Sequence, residues 1–64
     1  MLDKKNILIG VTGGIAAYKV VEVASRLKKS GANVKIMMTK HATEFVSPRT
    51  FQEITNNAVS VEMF

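Results

Sequence analysis

Ile7-Leu8-Ile9-Gly10-Val11-Thr12-Gly13-Gly14-Ile15-Ala16-Ala17-Tyr18-Lys19 passes from an apolar, β-branched run into a cluster of glycines and out again into a helical pattern. The run over Ile7 to Ile9 predicts a strand buried on both faces, as in a parallel sheet. Gly10, Gly13 and Gly14 allow a sharp turn in which the backbone approaches a ligand with no Cβ in the way. A helix starting near Ile15 aims its unpaired N–H groups and the positive end of its dipole back at that turn, which favours an anion, most simply a phosphate.

The spacing narrows the choice of ligand. The dinucleotide fingerprint is G-x-G-x-x-G with a carboxylate about 20 residues on to hold a ribose. Here the glycines run G-x-x-G-G, and the second apolar run, Val34-Lys35-Ile36-Met37-Met38, leads into Thr39-Lys40-His41 with no carboxylate at its end. No Gly-Lys-Ser/Thr closes the loop, so the P-loop pattern fails as well. The pattern left is a mononucleotide site, with Thr12 and the glycine backbone at the first turn and Thr39 at the end of the second strand.

Periodicity extends the reading along the chain. Ala17, Val20, Val21, Ala24 and Leu27 recur at helical spacing while Lys19, Glu22, Arg26 and Lys29 take the other side, which predicts an amphipathic helix over residues 15–29. Gly31 suits the left-handed residue that ends a helix. Residues 33–38 then read as a second strand, parallel to the first across a right-handed crossover. Thr39 is a candidate N-cap for a short helical turn reaching Phe45. Ser47-Pro48 is a cap-and-first-turn signal for a helix through Thr55. Asn56-Asn57 marks a turn, and residues 59–63 resemble a third strand.

Composition bounds the function. A chain of 64 residues buries only about 60% of its unfolded surface, which is marginal for an independent domain. A third strand close to Phe64 interrupts a β-α alternation midway, so the sequence reads as one portion of a larger domain with exposed sheet edges and apolar surface to be covered. The chain is 47% hydrophobic and 22% charged, as in globular proteins. It contains no cysteine, which removes disulfides and thiolate chemistry and fits a reducing, cytoplasmic compartment. Neither a secretory signal nor a membrane-spanning run is legible. The net charge of +4 is spread along the chain. Lys28 and Lys29 suit a helix C-terminus, so no basic patch points to nucleic acid.

Two stretches carry a resemblance over essentially the whole chain: Ile9 to Lys19, and Met38-Thr39-Lys40-x-Ala42-Thr43-x-Phe45-Val46 with Thr50-Phe51. They resemble the homo-oligomeric flavin-containing cysteine decarboxylases, and among them the phosphopantothenoylcysteine decarboxylases, which in bifunctional coenzyme A biosynthesis flavoproteins precede a phosphopantothenate–cysteine ligase. The resemblance implies a flavodoxin-like (Rossmann-like) doubly wound α/β fold, of which residues 1–64 would be the N-terminal part of the FMN-binding domain. It implies FMN as cofactor, 4′-phosphopantothenoylcysteine as substrate, oxidative decarboxylation to 4′-phosphopantetheine, and a homotrimer or assembly of trimers. Thr12, Gly13, Gly14 and Ile15 at the first loop, and Thr39, Lys40, His41 and Phe45 at the second, would be the cofactor-binding residues. The family's catalytic histidine falls beyond Phe64, so no residue here is assigned a catalytic role, and the chain by itself is expected to be inactive.

Other flavin chemistries remain open at this point. A flavin prenyltransferase, a peptidyl-cysteine decarboxylase or a non-catalytic FMN-binding module would share the two loops, although Gly14 within Thr-Gly-Gly-Ile-Ala-Ala-Tyr-Lys favours the coenzyme A branch. His41, the single histidine, reads first as an ordinary, partly exposed loop residue and second as a cofactor contact. Tyr18 and Phe51 read as core or subunit-contact aromatics, and Met37 and Met38 as gap-fillers in a buried strand.

Overall fold

The computed structural model describes residues 5–14 and 17–62. Strand β1 spans Asn6–Val11, helix α1 Ala17–Lys29, strand β2 Asn33–Thr39, a 3₁₀ turn His41–Glu44, helix α2 Pro48–Thr55 and strand β3 Ser60–Glu62. All pairings are parallel and the strand order is β1-β2-β3. The order 3-2-1 is that of one half of a doubly wound, Rossmann-like α/β sheet. Successive crossovers step in the same direction along the sheet, so the right-handed rule puts both helices on one face. There α1 packs on β1 and β2, and α2 packs on β2 and on α1.

Local sequence sets where these elements stop. Gly31 takes φ +95° after α1. Its N–H donates to the Lys28 carbonyl at 3.0 Å and the Ala32 N–H to that of Leu27 at 3.2 Å, the paired bonds of a Schellman cap. At the start of α2, the Ser47 hydroxyl accepts from the Arg49 N–H at 3.2 Å with Pro48 in the first turn. The same helix ends at Asn56, left-handed at φ +60°, a conformation that asparagine tolerates better than most residues.

The core lies between the sheet and the two helices. Val11, Val34, Ile36 and Met38 from the strands meet Ala17, Ala24, Val46 and Phe51. Phe51 and Val34 are completely buried, each such side chain contributing about 1.5–3 kcal/mol relative to exposure. The apolar face of α1 is the expected one: Ala17 and Ala24 are buried, with Val20, Val21 and Leu27 packed against the core.

The structure corrects several expectations. β1 is not buried on both faces: Ile7, Ile9 and Val11 turn toward the helices, whereas Leu8 is 65% exposed. The reason is the one-sided placement of α1 and α2, which leaves the other sheet face uncovered within the described residues. Met37 shares that open face and is exposed, while Met38 is fully buried as expected. Gly10 belongs to the strand, paired with Met37, so the turn begins later, at Thr12. Tyr18 is exposed and takes no part in this core, whereas Phe51 does. The expected third strand begins one residue later, at Ser60, and Ile15, Ala16 and Met63 lie outside the described residues.

Candidate cofactor site at the carboxyl ends of the strands

Parallel strands bring their carboxyl ends to one edge of the sheet, where ligands of open α/β folds bind. The register pairs Val11 with Met38 and Thr39 with Glu62, so the glycine turn after β1 and the loop after β2 emerge side by side. Thr12 and Gly13 are exposed and Gly14 is half-buried; Thr39 is half-buried, Lys40 and His41 are exposed, and Phe45 is half-buried. The structure therefore brings Thr12, Gly13, Gly14, Thr39, Lys40, His41 and Phe45 to one edge. Ile15 lies outside the described residues.

The two glycines of the turn differ in what makes them glycine. Gly14 sits at φ +131°, where L side chains are strained, and nothing lies within 4 Å of the position its Cβ would take. Its open side is a cradle next to the start of α1, and its carbonyl accepts the Ala17 N–H at 3.1 Å. At Gly13 the space is already filled: an added Cβ would stand 2.6 Å from His41 Cδ2 and 2.9 Å from Cγ. The first loop thus rests on the second through the imidazole.

The second loop is locally fixed. The Thr39 hydroxyl accepts from the Ala42 N–H at 3.1 Å, the capping role expected of it. The Lys40 N–H donates to the Glu62 carbonyl at 2.8 Å, which ties the loop to β3. The Lys40 carbonyl in turn accepts from the Thr43 hydroxyl at 2.6 Å. The His41 ring stacks on Phe45 with centroids 5.6 Å apart and planes 9° from parallel, within the favourable range for offset aromatic pairs.

Beside Phe45 opens an apolar cleft of about 300 Å³ between the start of α1 and the start of α2, lined by Tyr18, Val21, Val46, Ser47 and Thr50. Sequence reasoning placed neither this cleft nor the Glu62 contact, since both depend on how distant elements meet. The fit to a flavin nucleotide rests on Gly14: the side where a Cβ would stand is open, just before a helix start, and leaves room for a phosphate ester.

The flavoprotein family model matches residues 1–64. The chain is 47% identical over 64 residues to the coenzyme A biosynthesis bifunctional protein CoaBC of Bacillus subtilis (strain 168), covering 100% of this chain and 16% of that protein. It is thus similar to a small part of its curated relative's length. Among solved structures it is similar to the cypemycin decarboxylase CypD, with a TM-score of 0.80 at 24% identity over 95% of this chain and 38% of that one. It is also similar to the FMN-dependent cysteine decarboxylase SpaF, with a TM-score of 0.73 at 25% identity over 89% of this chain and 33% of that one. Fold and sequence agree, and the chain belongs to the flavoprotein family.

Proposed function

We propose that the chain is the FMN-binding opening segment of a phosphopantothenoylcysteine decarboxylase, the carboxy-lyase step of coenzyme A biosynthesis. The observation that carries this reading is the open side of Gly14 at φ +131° in a chain 47% identical to a coenzyme A biosynthesis protein. Thr12, Gly13 and Gly14 would hold the FMN phosphate through backbone N–H groups and the Thr12 hydroxyl, with Ile15 expected from the resemblance to join them. Thr39, Lys40, His41 and Phe45 form the opposite wall, with the Lys40 ammonium adding positive charge on that side.

Bound FMN supplies reversible two-electron redox chemistry, which a cysteine-derived carboxylate needs before carbon dioxide can leave; the protein's part is orientation and electrostatics. The half-buried Thr39 fixes the start of its own loop by accepting from Ala42, and the pairing of Val11 with Met38 sets that loop beside the glycine turn. The substrate is 4′-phosphopantothenoylcysteine and the setting is the cytoplasm. The uncovered sheet face and the cleft beside Tyr18 suit an assembly in which further polypeptide and subunit copies complete the site, a homotrimer or multiples of it. Residues 1–64 are the first part of the FMN domain, and a ligase domain follows in the bifunctional form.

The test is an FMN titration of isotopically labelled chain followed by amide resonances. Shifts confined to Thr12 to Gly14 and Thr39 to His41 are expected. Shifts centred on Asn6, Asn33 and Asn57 at the other end of the sheet, or none, overturn the site.

A further inference from the structure

Gly13 poses a question that the FMN reading leaves open. Its φ is not in the positive range, unlike Gly14 at +131° and Gly31 at +95°, so backbone conformation does not demand glycine there. What forbids a side chain is His41: an ideal Cβ at position 13 would lie 2.6, 2.9 and 3.3 Å from His41 Cδ2, Cγ and Cβ. The inner atoms of the side chain share the clash, so rotating the far end of the imidazole does not relieve it. Swinging the whole ring away would also break its stack on Phe45, at 5.6 Å and 9°, and Phe45 is itself packed against the core.

We infer that His41 is a positioning residue: its ring, held by Phe45, is the floor on which Gly13 rests, and it thereby sets where the Gly14 backbone meets the ligand phosphate. The inference rests on the proposal that this turn holds FMN. It assigns His41 a role by shape, through Gly13, rather than by an N–H directed at the phosphate. The core thus supports the anion-binding turn by a continuous line of contacts, from Phe45 through His41 to Gly13.

The shape role has a signature that a ligand contact lacks. His41→Phe keeps a flat ring on Phe45 and removes both ring nitrogens, so it loses measurably less FMN affinity than His41→Ala, which removes the floor and loses about three- to fivefold. Gly13→Ala weakens binding about tenfold or more, and adding His41→Ala to it brings affinity back to about that of His41→Ala alone, a coupling expected only of residues in direct contact. Two measurements need no ligand. A nuclear Overhauser effect links the Gly13 Hα to the His41 Hδ2 in the parent chain, and the Gly14 amide resonance moves in His41→Ala but holds in His41→Phe.

Additive losses in the double variant, equal losses in His41→Phe and His41→Ala, or the absence of the Overhauser contact overturn the inference. Failure of the parent chain to bind FMN, or undiminished binding by Gly14→Asp, overturns instead the reading on which it rests. Should Gly13→Ala fail to fold, the two His41 variants decide the matter alone.

Discussion

At the amino end of the sheet, Asn6, Asn33 and Asn57 join their side chains in series. Asn33 Nδ2 donates to Asn6 Oδ1 at 3.0 Å, and Asn57 Nδ2 donates to Asn33 Oδ1 at 3.0 Å and to the Val34 carbonyl at 2.7 Å. At the carboxyl end of the same strands stand Thr12, Gly13 and Gly14, where side chains are small or missing and the backbone faces outward. One end ties elements together through side-chain amides; the other ties them through the Lys40 N–H and the His41 ring and leaves the side of Gly14 open. On the FMN reading proposed above, the contrast separates stability from binding on opposite edges of one sheet, as in other parallel α/β proteins, whose ligands sit at the strands' carboxyl ends.

The largest effect that would break this division is expected from Gly14→Asp. A carboxylate would face the phosphate, and the backbone at φ +131° would carry strain of about 1–3 kcal/mol. FMN affinity should fall by more than about a hundredfold, a loss of roughly 2.7 kcal/mol, measured by the recovery of free-flavin fluorescence. Gly14→Ala isolates the strain and should lie between. Parent-like affinity in the aspartate variant removes the glycine turn from the binding site.

Next comes Thr39→Val, which acts on both stability and binding because the Thr39 hydroxyl holds the Ala42 N–H and, in the proposed site, walls the FMN. Ala42 is fully buried, and its N–H would lose the hydroxyl acceptor 3.1 Å away. Urea denaturation should show about 1–3 kcal/mol of lost stability, together with weaker FMN binding. Thr39→Ser keeps the oxygen and should recover most of both. If valine costs nothing, the 3₁₀ turn is held by packing alone.

How much of this could be read from the sequence follows the range of the interactions. Gly31, Ser47 and Thr39 announce their caps because a cap is made within a few residues of its signal. The α1 face was equally legible from its spacing. Leu8 was not: within an apolar run, the choice of covered face depends on which side the helices take, and both take the same one. The clash that fixes Gly13 was hidden for a related reason. Two glycines adjacent in sequence look alike, yet one answers to its own φ and the other to His41, a neighbour brought in by strand register. Asn57 likewise reads as a turn residue, and its reach to Val34 appears only when β2 and β3 are aligned.

At the amino end, Asn33→Ala should cost about 0.5–1.5 kcal/mol of unfolding free energy, the scale of a single net hydrogen bond, because the lost bonds are exposed and water can replace them. FMN affinity should be unchanged. A variant that loses binding as well as stability would mean that the two ends communicate through the strands, and the division of labour would fail.

The smallest effect expected is that of Leu8→Ser, on the sheet face that neither helix covers. Leu8 is 65% exposed and pairs across the sheet with Lys35, so most of its surface meets water before and after unfolding. A change at such a position is normally within about 0.5 kcal/mol, and it should leave both the asparagine ties and the glycine turn untouched. The measurement is again a urea midpoint, repeated at several protein concentrations. A loss well above 0.5 kcal/mol that grows with concentration would mean that Leu8 is buried against another copy in solution, since association stabilises by mass action. The open face would then be a third functional region, and the two-ended picture of the sheet would need a side as well.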